Sequence, residues 1–471
     1  MALHIAVDVV RESKQSLTSQ IQRFIRKEIA EGILHPGTRL PSSRRLADDL
    51  GVSRSVVVEA FGQLVAEGYL EAVRGAGTRV VEHLDAAAAV GPVVPALLDQ
   101  GPDAHVPGVR WDLRPGGRNF SAFPRREWLS CYQRVLNRAD ATDHGYPPLA
   151  GEAGLRSELA HCLGRLRGVR TGADQVMVVG GFAQTLALVC AVLAQEGVEA
   201  LGIEDPGHPG QRQFVRDSGL RPVPLPVDAE GIDVDALVAS GVRAVLITPA
   251  HQFPTGVKLS AQRREALARW ARETGGWVIE DDYDGGLWYE QGGIRPLAFQ
   301  REAPDRVVYA GTASKTLAPG LRLGWIAAPR PLLDQLLRVR ARQDLGTDTL
   351  TQLAFAELLR GGLFDRHLRR LNARGRDRRE ALEEAVRRHL PGARVIGRAA
   401  GLHAYVRLPR HTDEAAVVAG ALARSVLVRG GAAFHARPHA AAPALVVGHA
   451  HLPCSGITEA VREIAEVVRG R

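Results

Sequence analysis

The hydrophobic positions between residues 14 and 82 recur at helical spacing and predict a compact helical unit. Ile21, Phe24, Ile25 and Ile29 fall on one face of a helix predicted over residues 15–32, with charged residues between them. A serine-capped helix is predicted to end near Gly51, and a second capped helix to run over residues 54–67. Residues 68–80 then read as a hairpin with a glycine-rich, basic tip.

After residue 110 the pattern changes to short β-branched runs that alternate with helical stretches. Several runs are apolar without alternation, as is typical of strands covered on both faces. This alternation predicts an α/β fold with a mainly parallel sheet. The strands are expected at 175–179, 200–203, 244–248, 277–280, 307–309 and 323–327, and the helices between them include 184–194, 211–217 and 261–273.

Residues 84–109 are rich in Ala, Pro and Gly and predict a linker. We therefore expect three segments: a domain at 12–82, a linker at 83–109 and a large domain at 110–471. A length of 471 residues already favours more than one domain.

Composition excludes several classes of protein. With 45% hydrophobic and 24% charged residues the chain resembles an ordinary globular protein, and no run approaches the roughly 20 apolar residues of a membrane span. The first ten residues have no basic region typical of a secretory signal, so we expect a cytoplasmic protein. The four cysteines show no metal-ligand spacing, which predicts buried thiols and no metal site.

Two short helices separated by a glycine-containing turn are typical of a helix-turn-helix. Residues 1–82 contain eleven Lys/Arg and ten Asp/Glu, so their overall charge does not favour DNA binding. The prediction depends instead on where the basic residues lie. Arg54 and Ser55 begin the second helix, where side chains reach phosphates or base edges. The alternative is a winged helix that only packs. The other candidates for DNA contact are Arg39, Arg44 and Arg45, which would flank the groove, and Gly75 at the hairpin tip.

In the large domain, Lys315 follows a strand and is one of only four lysines in the chain. Hydroxyls at Thr312 and Ser314 precede it and Arg322 follows, which suits a Schiff-base lysine beside a phosphate-binding group. A solvated surface lysine is the alternative for any single lysine. Here the neighbours favour the cofactor site.

Three strand-end segments supply further candidates. Asp281 could keep a pyridine nitrogen protonated, and Tyr283 could bond a ring hydroxyl. The glycines before Phe182 and Ala183 could expose helix N–H groups to phosphate, although by themselves they fit a plain turn better. In the third segment, residues 205–210, the ring of His208 could stack on a cofactor.

The stretch "GILHPGTRLPSSRRLADDLGVSRSVVVEAFGQLVAEGYLEAVRGAGTRV" resembles the winged helix-turn-helix of the GntR family. Residues 110–471 resemble fold-type I pyridoxal-phosphate (PLP) enzymes of the aspartate aminotransferase superfamily. With "EDPGHPG", "TPAHQFPTG", "EDDYDGGLWYE" and "GTASKTLAPGLRLGW", the whole chain resembles the MocR/GabR/PdxR-type regulators.

This resemblance implies a PLP cofactor, a double-stranded DNA operator, an amine or amino-acid effector and a homodimer. It implies Lys315 as the aldimine lysine, Asp281 at the pyridine nitrogen and Tyr283 at the ring hydroxyl. It also implies phosphate contacts from Thr312, Ser314, Arg322 and the backbone of Phe182 and Ala183, with Tyr146 reaching the partner subunit's phosphate, and DNA contacts from Arg44, Arg54, Ser55 and Gly75.

The chain also departs from the aminotransferase pattern. His208 replaces a tyrosine, Phe253 replaces an asparagine, and Val446 stands where an arginine would bind a substrate carboxylate. Arg429 and Arg437 are possible substitutes, and Lys258 is the rival lysine. These departures favour a PLP-responsive transcription regulator over the alternative, an active aminotransferase with an accessory DNA-binding head. The operator, the effector and the sign of regulation stay open.

Overall fold

The computed structural model describes residues 15–73, 77–82, 106–116, 122–290, 296–437 and 442–469. It divides into two compact units, Met1–Pro102 and Asp103–Arg471. Gly75 and residues 83–105 of the predicted linker lie outside the described residues.

Residues 15–73 and 77–82 of the smaller unit form three helices and a hairpin, as the hydrophobic spacing predicts. Ile21 and Ile25 are fully buried in its core. Ser42 caps the second helix by accepting from the Arg45 N–H, and Gly51 ends that helix in the left-handed conformation. Its elements are α1 (Leu17–Ala30), α2 (Ser43–Leu50), α3 (Arg54–Ala66) and the antiparallel pair β1 (Leu70–Val73) and β2 (Gly77–Val80).

The larger unit begins with alternating strands and helices. In chain order these are β3 (Trp111–Asp112), α4 (Arg125–Arg138), α5 (Ala153–Arg167), β4 (Val176–Val179), α6 (Phe182–Gln195), β5 (Ala200–Asp205), α7 (Pro209–Asp217), β6 (Arg221–Asp228), β7 (Gly231–Ile232), α8 (Val234–Ser240), β8 (Ala244–Ile247), α9 (Ala261–Thr274), β9 (Trp277–Asp282), β10 (Val307–Thr312) and β11 (Gly324–Ala327).

The remaining elements form the helical tail and a second sheet. They are α10 (Arg330–Arg340), α11 (Thr349–Arg360), α12 (Leu363–His389), β12 (Arg394–Ile396), β13 (His403–Arg407), α13 (Glu414–Ala423), β14 (Val426–Leu427), β15 (Arg429–Gly430), β16 (Ala444–Gly448) and α14 (Cys454–Arg469).

Eight strands form the main sheet in the order β4-β11-β10-β9-β8-β5-β6-β7. The five strands from β10 to β6 are parallel, and β11 and β7 run antiparallel to them. Strand β4 pairs antiparallel with β11 and therefore runs in the same direction as the five. Every residue of β4 and β8 is buried, because apolar cores cover both faces. The predicted α/β fold with a mainly parallel sheet is confirmed. Its parallel strands end at one edge, which is where such sheets bind ligands.

A smaller sheet, β12-β13-β16-β15, lies near the end of the chain, and its apolar core includes α12 and α14. Strand β3, the first element after the linker, pairs in parallel with β14 beside this sheet. This arrangement forms a small subdomain of the larger unit.

Two composition-based expectations have different outcomes. Cys131, Cys162 and Cys190 are buried free thiols, but Cys454 is exposed because it begins α14 at the protein surface. The expectation of a buried thiol is therefore wrong for Cys454. Among the described helices, none has the length and apolarity needed to cross a bilayer.

Candidate functional site

The ends of β9 and β10 bring the main cofactor candidates to one edge of the sheet. The two strands are parallel neighbours, with Ala310 in register with Asp281 and Gly311 with Asp282. Tyr283 directly follows β9, while Thr312 ends β10 three residues before Lys315. The topology therefore places these residues at adjacent strand ends.

Lys315 lies half-buried in the turn after β10. Its Nζ donates a hydrogen bond to the backbone oxygen of Gly116, at 2.6 Å. Gly116 belongs to the segment after β3, so this segment reaches the lysine from the small-subdomain side.

Asp281 is 5% exposed, and its carboxylate accepts a hydrogen bond from Gln211 Nε2 at 2.9 Å. Burial raises the pKa of Asp281 to about 8, opposed by the Gln211 hydrogen bond and by the charge of Lys315. A buried carboxyl group with only a neutral donor in contact suits a cationic ligand, because the cation would restore the charged form.

The Tyr283 hydroxyl lies 3.0 Å from both the backbone oxygen and the Nδ1 atom of His251. Burial and then the charge of Asp284 raise the pKa of Tyr283 well above its usual value. Tyr283 therefore stays protonated and can donate a hydrogen bond.

A buried ion pair supports the strand end from behind. Arg167 donates to both oxygens of Asp282, at 2.7 and 2.9 Å, and Tyr309 donates to the same carboxylate. This pairing fixes the backbone between Asp281 and Tyr283, whose side chains are the candidates for cofactor contact.

The candidate phosphate site lies at the N-terminus of α6. Phe182 and Ala183 are its first two residues, so their N–H groups have no partner within the helix. Gly181 has φ 112°, and a Cβ there would lie 3.5 Å from the Arg322 guanidinium. The φ value favours glycine at this position, and the Arg322 guanidinium lies close to the start of α6. The hydroxyls of Thr312 and Ser314 are 2.9 Å apart on the neighbouring turn.

His208 and Tyr146 are both exposed in this chain. Although His208 as a residue is exposed, the protein that surrounds its ring lowers the pKa of His208 to about 4, and the charge of Lys315 adds to that effect. The ring is neutral near pH 7 and lies 5.4 Å from Phe253. Tyr146 is 85% exposed. Within the described residues no contact brings it to the candidates around Lys315.

The departures from the aminotransferase pattern occupy the small-subdomain side. Val446 is fully buried on β16, in register with Tyr405 on one side and Arg429 on the other. Arg429 and Arg437 are exposed. Lys258 lines a separate groove with Arg398 and Arg407, and none of the cofactor candidates lines that groove.

In the smaller unit, the candidate DNA contacts lie on the surface around α2 and α3. Arg39, Arg44, Arg45, Arg54 and Ser55 are all exposed. In the described part of this unit the ion pairs involve Arg26, Lys27 and Arg79, which leaves these four other arginines outside any ion pair. Gly75 lies outside the described residues.

Sequence reasoning missed several contacts. Gln211 carried a signal, since it lies three residues after His208 and shares a face of α7 with it. His251 and Asp284 were visible as polar residues at strand ends. Nothing local marked Gly116, because it acts through its backbone oxygen and comes from a distant segment.

Comparison with known proteins gives matches in both units. Residues 17–80 match the model of bacterial regulatory proteins of the gntR family, and residues 122–464 match aminotransferase class I and II. The chain is 32% identical to the probable rhizopine catabolism regulatory protein MocR of Rhizobium meliloti, over 81% of this chain and 79% of that protein.

It is also 32% identical to the HTH-type pyridoxine biosynthesis transcriptional regulator PdxR of Corynebacterium glutamicum, over 84% of each chain. Among solved structures, it resembles LysN, an α-aminoadipate aminotransferase from Thermus thermophilus complexed with N-(5'-phosphopyridoxyl)-L-leucine. The TM-score is 0.68 at 28% identity, over 77% of this chain and 93% of that one.

Proposed function

The chain belongs to the MocR-type regulators, in which a gntR-family unit precedes an aminotransferase class I and II unit, and on this premise we propose that it is a PLP-responsive transcription regulator. The observation that carries the proposal is the grouping of Lys315, Asp281 and Tyr283 at adjacent strand ends of a chain that also contains a helix-turn-helix. Since operator DNA is its target, we place the protein in the cytoplasm.

The residues present suit PLP. Asp281 is a buried carboxyl group that contacts no cation in the part of the chain described here, which fits a pyridine nitrogen. The α6 N-terminus and Arg322 offer N–H groups and a positive charge to a phosphate. PLP would supply an aldehyde able to bond an amine and a ring that withdraws electrons.

Each protein group has a defined task in this proposal. Lys315 Nζ, which donates to the Gly116 oxygen in this structure, would supply the amine that holds PLP. Asp281 holds a proton at the ring nitrogen, and the Tyr283 hydroxyl donates to the ring oxygen. Arg322, Thr312, Ser314 and the N–H groups of Phe182 and Ala183 bind the phosphate, with Tyr146 serving the partner subunit of a homodimer.

We further propose that an amine or amino acid is the effector and that catalytic turnover is not the main role. Val446 is an apolar, fully buried residue at the position expected to bind a substrate carboxylate, so tight binding of an ordinary α-amino acid is disfavoured. An effector would change DNA binding by favouring one conformation of the larger unit over another.

Absorbance and gel-shift measurements on the full chain test the proposal. PLP should give a visible absorbance band that borohydride fixes to Lys315. Lys315→Ala should lose this band, whereas Lys258→Ala, which removes the rival lysine, should keep it. A band retained in Lys315→Ala and lost in Lys258→Ala would contradict the assignment.

The proposed DNA binding by the smaller unit has a separate test. Arg54→Ala should weaken operator binding by roughly 1–3 kcal/mol if the side chain reads a base. Arg23→Ala is the matched control, because Arg23 is an exposed arginine on α1. Specific DNA binding that is absent both with and without PLP would contradict the proposed regulator. Rapid turnover with common amino donors would favour the active aminotransferase instead.

A further inference from the structure

Next to the candidate cofactor site, a buried carboxylate and an imidazole lie in contact. His251 Nδ1 and Asp284 Oδ2 are 2.8 Å apart, and both residues are 3% exposed. The Tyr283 hydroxyl lies 3.0 Å from the same Nδ1 and 3.0 Å from the His251 backbone oxygen. The three side chains form one row that leads from the small-subdomain side to the cofactor candidates.

The proton of this row can be assigned from hydrogen-bonding partners. His251 Nε2 is buried and has no hydrogen-bond partner in the described part of the chain, whereas Nδ1 faces a carboxylate. A proton on Nδ1 therefore serves Asp284. The Tyr283 hydroxyl is left to donate to the His251 backbone oxygen, from which it can turn to a ligand.

The backbone around the pair fixes its position. Gly401 has φ 66°, and a Cβ there would lie 2.1 Å from Asp284 Oδ2 and 2.7 Å from His251 Nδ1. No larger residue fits, so the chain closes directly over the carboxylate and the imidazole. Phe253, which contacts Tyr283 edge-on at 6.0 Å between ring centroids, offers no polar atom to a ligand. Tyr283 thus carries the hydrogen-bonding task on this side.

We infer that Asp284, acting through His251, is a positioning residue that holds the Tyr283 hydroxyl ready for the cofactor's ring oxygen and sets the pH at which the bound cofactor changes protonation. This inference rests on the proposed PLP site. The negative charge of Asp284 opposes loss of a proton from the bound cofactor and so raises the pH of this change. By keeping the Tyr283 hydroxyl protonated as a donor to the ring oxygen, Asp284 also lowers that pH. We expect the direct effect of the charge to be the larger.

Other charged and titratable groups surround the row and stay unchanged in the test. From β5 and β9 these are Glu204 and Asp281, and from the small sheet and α12 they are His403, His449, Arg378 and Arg379, with Tyr289 between them. A comparison between variants therefore isolates Asp284.

The test is a pH titration of the visible absorbance of the full chain loaded with PLP. Asp284→Asn should lower the midpoint by about one pH unit, since one nearby charge is removed. Tyr283→Phe should raise it, because a donor that stabilises the ring oxygen is lost. Glu290→Gln removes a carboxylate that pairs with Arg398 at the surface and should leave the midpoint unchanged.

A double variant separates positioning from simple charge. In the Tyr283→Phe background, Asp284→Asn should lower the midpoint more than it does in the wild type, because the hydroxyl that Asp284 positions is gone and only the effect of the charge remains. An equal or smaller shift in the Tyr283→Phe background would overturn the inference.

If Asp284→Asn does not fold, the variant His251→Leu provides a second test. Without the imidazole, the Tyr283 hydroxyl should donate its hydrogen bond to Asp284 and no longer to the cofactor's ring oxygen, so the midpoint should rise. An unchanged midpoint would overturn the inference. A wild type without any PLP band overturns the proposed function as well. A band that titrates normally but ignores Asp284 overturns the positioning role alone.

Discussion

Four buried carboxyl groups around the end of β9 have unequal partners. Asp282 contacts the Arg167 guanidinium, Glu280 accepts two backbone N–H groups, and Asp284 contacts an imidazole. Among the described residues, Asp281 accepts a hydrogen bond only from the neutral amide of Gln211. Burial of a charge without a cation in contact is costly, so the larger unit is best suited to a ligand that brings a positive charge to Asp281.

Asp281→Asn should therefore change how stability depends on pH in the cofactor-free protein. The folded-state pKa of Asp281 is raised to about 8, so between pH 4 and pH 8 the folded state binds more protons and stability falls as pH rises. The Asp281→Asn variant lacks the group that titrates. Relative to the variant, the free energy of unfolding of the wild type, measured with denaturant, should fall by about 2 kcal/mol between pH 5 and pH 7. Parallel pH profiles for the two proteins would contradict the pKa.

Arg167 and Arg165 provide a matched pair on the same helix. Arg167→Met leaves the buried carboxylate of Asp282 without its cation and should cost about 3–5 kcal/mol in the free energy of unfolding. Arg165→Met breaks an exposed pair with Asp365 and should cost less than about 1 kcal/mol. Denaturant titration of both variants measures the difference, and similar losses would refute the assigned role of burial.

Among single residues, the sequence indicated those whose side-chain type alone suggests a chemical role. The single lysine with hydroxyl and arginine neighbours was visible at Lys315, and a carboxylate followed by a tyrosine was visible at β9. Their partners could not be predicted, because Gln211 and Gly116 contribute through contacts that only the fold creates. A backbone oxygen has no sequence signature.

At the scale of elements, two serines that precede helices behave differently. Ser42 accepts a hydrogen bond from the Arg45 N–H, whereas Ser53 makes no side-chain cap and lies 2.8 Å from the Ser55 hydroxyl. The expected side-chain cap is thus present on α2 and absent from α3. Ser53 and Ser55 keep their hydroxyls at the end of α3 that is proposed to face DNA.

Ser42→Ala should accordingly destabilise the smaller unit by about 1 kcal/mol, through loss of the cap. Ser53→Ala, the matched control, should cost less, since no N–H depends on its hydroxyl. Thermal unfolding followed by circular dichroism gives both values. Equal losses would show that the α2 cap contributes nothing particular to stability.

The elements of the main sheet were predictable, but their ends were not. The apolar runs gave the centres of β5, β9 and β10, and each strand extends two to three residues further into polar or small residues. Those extensions carry Asp205, Asp281 and Thr312, because strand ends at a ligand-binding edge do not follow the core pattern. The strands of the small sheet are too short to show long apolar runs. The sequence therefore did not predict them individually.

Charge is unevenly distributed along the chain: it is nearly balanced in residues 1–82, whereas the rest of the chain is clearly basic. The net charge of +8 belongs almost entirely to residues beyond 82, so the DNA-binding unit depends on a few exposed arginines rather than on a general positive field. Two such units on one operator would double those contacts. Dimerisation therefore bears directly on regulation, and Tyr146 offers a way to measure it.

Tyr146 is 85% exposed in the single chain and is proposed to contact the phosphate of PLP in the partner subunit. If it does, the complete cofactor site exists only in the dimer, and PLP must shift the equilibrium from monomer to dimer by mass action. Sedimentation of the wild type at increasing dilution should show dissociation at lower concentration with PLP than without it. Tyr146→Phe should lose most of this difference while Lys315 still binds the cofactor. Tyr132→Phe, a change at a phenol on α4 outside the site, is the control, and a Tyr146→Phe protein whose dimer responds to PLP like the wild type would remove Tyr146 from the site.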